Sequence, residues 1–359
     1  MKTPSRKRAK WALLLLFGLL ACLPFANRNA AADAIAEPGK FRPELMAAPE
    51  PAGAADESQP RKVVIGVYVN QVKSISMIDN EFVVDFWLWF RFKSDKDKAP
   101  ADQYKPLENY EIIGGVVESK QAEQTSDLKT GDTYAAVRII ARIKKFFDVT
   151  RFPLDNHVLQ IEIEDNKSEE HIVRFEPDTV NSKLDPAVRT PGWNWVDSRA
   201  QVHKHTYNTN YGDNSLPTGK ASSYSRFVFE IDLERPGLGY LFKLFWSIDL
   251  AVIIGFVALL IKPTDLDPRF GLGVGAIFAA AASAYVVNAA LPPTNVLTLS
   301  DKVNMIAVGF IFLSLAESIF SLRFYYKDQP QASKKLDRIC FWGLMGTYAL
   351  ANYIAVATA

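Results

Sequence analysis

Four apolar segments crowd the last third of this chain, at residues 240–261, 270–290, 303–324 and 339–357. Each is near the roughly twenty residues that an α-helix needs to cross a hydrocarbon core. The connections between them are short. Lipid offers no water to satisfy an open backbone, so four such segments in a row are committed to an antiparallel helix bundle. Whatever precedes residue 240 has to be compatible with that bundle.

What precedes it is of another kind. From Val63 onward come VVIGVYV, EFVVDFWLWFRF, TYAAVRIIARIKKFF, HVLQIEIED, HIVRFEP, WNWVDSRAQVHKHTY and YSRFVFEIDLER. Val, Ile, Phe and Trp dominate, and polar turns such as Asp79-Asn80 separate the runs. Many short strands with no convincing helical stretch predict a β-sandwich. The expected organisation is a β-sandwich domain over 62–235 and a four-helix transmembrane domain over 236–359. Ahead of both, Lys7, Arg8 and Lys10 precede the apolar run Trp11 to Phe25, with small residues around Ala30, Ala32 and Ala34. That order reads as a secretory signal peptide over 1–32, and the Ala-, Pro- and Glu-rich stretch 33–61 reads as a flexible lead-in. If the β domain is exported, four spans return the C-terminus to the same side. Arg323, Lys327, Lys334, Lys335 and Arg338, assigned to the third connection, then fall in the cytoplasm, as the positive-inside rule expects.

Charge and cysteine usage narrow the function. With 41 basic and 40 acidic residues the chain has no concentrated basic face for nucleic acid. Only Cys22 and Cys340 exist, so an exported domain folds without an intrachain disulfide and no Cys/His cluster offers a zinc site. His203 and His205 sit two apart, on one face of a strand, but lack a third ligand and read as solvent-facing. No paired-carboxylate, nucleophile–base or phosphate-loop arrangement stands out. Neither an enzyme nor a cofactor is expected.

The second span, DPRFGLGVGAIFAAAASAYVVNAALPP, is built mostly from Gly and Ala where lipid-facing helices carry Leu, Ile and Phe. Gly271, Gly275, Phe278, Ala282, Tyr285 and Ala289 recur at steps of four and three, which places them on one helix face. Small residues there allow neighbouring helices to approach closely, or the face lines a path shared by several copies; periodicity leaves both open. In the first span, Asp249 lies roughly 13 Å into the helix at its ordinary rise. Its carboxylate is expected to face the bundle and either find a partner or take up a proton. Ser283 and Tyr285 lie at a similar depth on the second span and are the expected partners.

Several of these stretches, in this order, resemble the pentameric ligand-gated ion channels, the family that includes the Cys-loop receptors. Arg235 closes SRFVFEIDLER like the family's pre-membrane arginine. Arg269-Phe270-Gly271-Leu272-Gly273-Val274 resembles the start of the pore helix, and Leu291-Pro292 its outer end. SDKVNMIAVGFIFLSLAESI resembles the third helix, and RFPLDNHV, with Phe152-Pro153-Leu154-Asp155, the centre of the Cys-loop. Lys145 and Leu159 stand where the two cysteines would fall. Bacterial members lack that disulfide and have a very short third connection, as here around Gln329 to Ser333. The resemblance is therefore to a bacterial homologue, in the inner (plasma) membrane with its N-terminal domain periplasmic or extracellular.

The resemblance implies a homopentamer, each subunit meeting four identical copies in a lipid bilayer and the second helix lining an axis for inorganic ions. Asp267, Gly271, Gly275, Phe278, Ala282, Tyr285 and Ala289 would face that pore, with Phe278 at the hydrophobic gate and Asp267 at the cytoplasmic mouth. Pro268 and the RxGLG pattern are similar to anion-selective members. Five Asp267 carboxylates act directly on the ion, and cation selectivity is the expectation. Gly271 and Gly275 replace the usual hydroxyl rows, which leaves an alternative: a non-conducting, membrane-anchored periplasmic sensor or assembly protein with the same fold. Phe152, Pro153, Asp155 and Arg235 would couple the two domains. Asp155 is the expected partner of Arg235, since Met77 stands where some bacterial members carry an acid. The agonist, an unknown small molecule or protons, would bind between subunits near Tyr207, Tyr211 and Tyr224, whose faces suit an organic cation. Trp193 and Trp195 read instead as strand packing.

Overall fold

The computed structural model describes residues 59–95, 97–99, 102–209 and 221–358. The signal-like segment 1–32, nearly all of the lead-in 33–61 and Tyr211 lie outside them. The first hairpin sets the pattern of the β domain. Strand β1 (Arg61–Ser76) pairs antiparallel with β2 (Glu81–Lys93), Val67 opposite Leu88. Val63, Ile65, Val67 and Val69 on one strand, and Val84, Phe86, Leu88 and Phe90 on the other, are fully buried. That period of two is what a half-buried strand requires. Asn80 closes the turn with φ +52°, a left-handed conformation that Asn tolerates better than most residues. Gly66 is needed for a different reason: the Trp89 indole lies 2.3 Å from where a Cβ would stand.

The remaining strands are β3 (Tyr110–Ile112), β4 (Gly115–Asp127), β5 (Asp132–Lys144), β6 (Asn156–Asp165), β7 (Val173–Pro177), β8 (Lys183–Leu184), β9 (Asn194–Tyr207) and β10 (Ser222–Glu234). One sheet runs β4-β5-β2-β1-β7 with β8 also on β1, and the other runs β3-β6-β10-β9. The pairings of β1 with β7 and β8 are parallel. Between the sheets, Phe86, Phe90 and Ile139 share a core with Leu159, Ile161, Phe227 and Phe229. Each such side chain contributes about 1.5–3 kcal/mol on burial. This is a β-sandwich. Strand β4 and the single helical turn α1 (Pro106–Asn109) are additions to the sequence-based expectation. Beyond its first six residues β4 is exposed on both faces, so most of its length carries no alternating signal.

Four long helices follow: α2 (Gly237–Val257, continued by a 3-10 turn at Ala258–Leu260), α3 (Leu266–Asn288), α4 (Leu299–Tyr325) and α5 (Pro330–Ala357). All four are long and apolar enough to cross a membrane. A capping box opens α4, Thr298 accepting from the Asp301 backbone while Asp301 accepts from that of Thr298. The turn between α4 and α5 is shorter than the charge pattern suggests. Lys334, Lys335 and Arg338 belong to α5 itself, which starts at Pro330, an imino acid preorganised for a first helical position. Ser333 is buried there, its hydroxyl 2.7 Å from that of Ser321 on α4, so the extra turns are packed. The loop after β5 meets the bundle directly. Its Thr150 and Phe152 carbonyls accept from the Leu299 and Ser300 amides at 3.0 and 3.2 Å, satisfying free donors at the start of α4.

Candidate functional site

Where β10 runs into α2, the Arg235 side chain is 9% exposed and surrounded by groups from distant parts of the β domain. Its Nε donates to Asp155 Oδ1 at 3.2 Å, and its guanidinium carbon lies 3.9 Å from the Trp193 ring centroid. Phe152 and Tyr240 each present a ring 5.2 Å away. A terminal nitrogen touches the Met77 sulfur at 2.9 Å. Asp155, 2% exposed, shares its other oxygen with His157 Nε2 at 2.6 Å. Burial works against the Asp155 charge, but the His157 hydrogen bond and the Arg235 charge outweigh it and hold the carboxyl below its usual range. The Phe152–Pro153 peptide is cis. Thus Phe152 and Asp155 from the loop, Met77 from the β1–β2 turn and Tyr240 from α2 converge on one guanidinium.

Helix α3 has two unlike faces. Arg269, Gly273, Ala276, Ala280 and Val287 are buried in the protomer. At Gly273 an added Cβ would stand 2.2 Å from Leu315, so this glycine permits close approach to α4. Gly271 and Gly275 have nothing within 4 Å of the same position. They share the outward face with Asp267, Phe278, Ala282, Tyr285 and Ala289, all exposed, Phe278 at 71% and Tyr285 at 76%. The helix therefore contains two kinds of glycine, and a Cβ at the outward ones would meet nothing within the chain.

Asp249 does not bond Ser283 or Tyr285. Tyr348 on α5 donates its hydroxyl to Asp249 Oδ1 at 2.7 Å, while Ser247 is the residue that meets Ser283, at 3.2 Å. Two residues along a helix are about 200° apart, so a helix that turns Ser247 to α3 turns Asp249 away from it. Tyr348→Phe strands the half-buried carboxylate and is expected to cost about 1–3 kcal/mol. Asp249→Asn keeps an acceptor for the hydroxyl and is expected to cost less. Thermal unfolding of the detergent-solubilised protein checks this; equal losses in the two variants would contradict the bond.

In the β domain, Tyr207 and Tyr224 face each other across β9 and β10 with ring centroids 5.8 Å apart. The Tyr207 hydroxyl donates to Glu164 at 3.0 Å and accepts from Arg226 at 2.8 Å. Arg226 also binds Glu162 and Glu164, both at 2.6 Å. The pair of tyrosines is thus backed by a charged cluster that sequence reading did not single out. His203 is exposed and His205 half-buried, the latter edge-on to Tyr207 at 4.5 Å. No metal-binding group of three or more His, Cys, Asp or Glu occurs among the described residues. Trp193 is buried against Arg235 and His157. A second unexpected cluster joins Arg269, Glu317 and Asp337 inside the bundle. The acid in the apolar run of α4 was the available signal, since a carboxylate in a span demands a partner.

No protein-family model matches the chain. Among curated proteins it is similar to the gamma-aminobutyric acid receptor subunit theta of Mus musculus, 18% identical over 317 residues. The alignment covers 82% of this chain and 46% of that protein, so the chain spans about half the relative's length. The similarity is distant. At that coverage it takes in most of the β-sandwich and at least the first of the apolar helices.

Proposed function

We propose that this chain is a subunit of a ligand-gated ion channel of the pentameric family, five copies enclosing a pore lined by α3. The observation that carries the proposal is the outward face of α3, where Gly271, Gly275, Phe278 and Tyr285 make no use of their own bundle. A central path between copies gives that face a role, and Phe278 rings meeting at the axis close it by excluding water. The distant similarity to a mouse receptor subunit supports the same function. The protein is then a multi-pass protein of a bacterial plasma membrane with its β domain outside.

Cation selectivity follows from two neighbouring residues. Asp267 is exposed in the first turn of α3. Arg269, whose positive charge would oppose it in a pore, is instead buried against two carboxylates. Asp267→Ala is expected to lower the cation-to-anion permeability ratio by about tenfold, the scale on which charged clefts concentrate counter-ions. Reversal potentials under a salt gradient check this; a parent protein already reversing at the chloride equilibrium value refutes cation selectivity.

Agonist binding is placed at the Tyr207–Tyr224 face of the β domain, with a neighbouring copy completing the site. Gamma-aminobutyric acid, carried in the mouse relative's name, is the first compound to test. The deciding experiment is single-channel recording of purified protein in planar bilayers with candidate agonists and external pH varied. Assembled protein that passes no ions under any of these conditions would point to the non-conducting sensor.

A further inference from the structure

Two residues into the first turn of α3 beyond Asp267, the Arg269 side chain has no solvent exposure. Its Nε donates to Ser318 Oγ at 2.9 Å and one terminal nitrogen to the Ile261 carbonyl at 3.2 Å. The other terminal nitrogen donates to Glu317 Oε2 at 3.0 Å and to Asp337 Oδ1 at 2.6 Å. One guanidinium thereby joins the end of the first spanning segment, the base of α3, the last third of α4 and the first turns of α5. Only arginine has the rigid fork to do this.

Charge balance does not require all of these partners. A single carboxylate neutralises Arg269, and a second buried charge is unfavourable unless good geometry compensates it. Asp337 is nonetheless present, 7% exposed. Helix α5 packs chiefly on α4, and the Arg269–Asp337 bond extends that contact to α3. One turn further along, Gly273 brings α3 against Leu315 of α4, so the base of α3 is held on the same side by packing. Asp267 and Arg269 are about 200° apart around the helix. Holding Arg269 in the bundle holds Asp267 out of it.

We propose that Arg269 is a positioning residue. By tying the base of α3 to Asp337, it makes the orientation of the Asp267 carboxylate depend on where α5 sits. The tie stands on geometry alone; its consequence for ions rests on α3 lining the pore. Helix α5 otherwise reaches α3 through its packing on α4, so the Arg269–Asp337 ion pair is its direct bond to the base of α3.

The test is hydrogen–deuterium exchange of the full chain in lipid nanodiscs, read at residues 268–274 and, as a control on the same helix, at 281–288. Asp337→Asn is nearly isosteric and is expected to speed exchange at 268–274 by about threefold or more, a local opening, without changing 281–288. Asp337→Glu restores the carboxylate and is expected to return exchange to the parent rate. Unchanged exchange at 268–274, or equal loosening at both ends, overturns the tie. Should Asp337→Asn not assemble, Arg269→Lys, which keeps the charge without the fork, is read in the same way. Reversal potentials of the same variants test the consequence. Asp337→Asn is expected to reduce cation preference and Asp337→Glu to match the parent; an unchanged potential with a loosened base overturns the link to Asp267. Absence of current in every variant, the parent included, refutes the pore function and leaves the exchange result to decide the tie.

Discussion

Replacing Arg235 by alanine is expected to abolish agonist-evoked opening while ligand binding to the β domain survives. The guanidinium touches the loop after β5, the β1–β2 turn and α2 together. Its removal leaves Asp155 buried with His157 as its remaining hydrogen-bond partner, and stranding one member of a buried ion pair costs about 3–5 kcal/mol. The loss falls at the domain boundary, where the same loop caps α4 through Phe152 and Thr150. The Tyr207–Tyr224 face is built on the far parts of β9 and β10 and keeps its own contacts. Equilibrium ligand binding and macroscopic current on one preparation separate the two effects; ordinary opening in the variant refutes coupling through Arg235.

Acid supplies an independent check. Asp155 titrates below the usual carboxylate range in the folded protein. Its contribution to stability is therefore fully present above the unfolded value of about 4. It is lost as pH falls through the depressed folded value. The difference in unfolding temperature between parent and Arg235→Ala is expected to be largest near neutrality and to close in acid. A difference that stays constant down to strongly acidic pH would assign the loss to ring packing alone.

The second large effect is at Phe278. Its ring is 71% exposed in the protomer and points off the outward face of α3. In the proposed assembly five such rings meet in a narrow passage and exclude water. A phenyl side chain is worth about 1.5–3 kcal/mol of apolar transfer, and a barrier lowered by 1.4 kcal/mol already raises a rate about tenfold. Phe278→Ser is thus expected to raise agonist-independent cation flux into proteoliposomes by at least about tenfold. Because the ring makes little contact within its own subunit, folding should be unaffected. Parent-level leak from correctly assembled variant protein would remove Phe278 from the constriction and count against α3 as the pore helix.

Much of the architecture was legible because its signals are local. Four apolar runs of spanning length dictate a helix bundle wherever they lie, and Val63, Ile65, Val67 and Val69 declare a half-buried strand by alternation alone. The convergence of Asp155 and Arg235 was readable only through motif resemblance, since 80 residues separate them. Strand β4 escaped because beyond its first six residues it is exposed on both faces and has no pattern to show. Partner choice within the bundle was a tertiary matter. Helical periodicity says which residues share a face, but the rotation of each helix about its axis says what that face meets. That rotation gave Asp249 to Tyr348 rather than Ser283, and packed Gly273 on Leu315 while leaving Gly271 and Gly275 open. It also turned Arg269 inward onto Glu317 and Asp337. Such choices are made by contacts between segments tens of residues apart, whose packing is settled only when all four helices are in place.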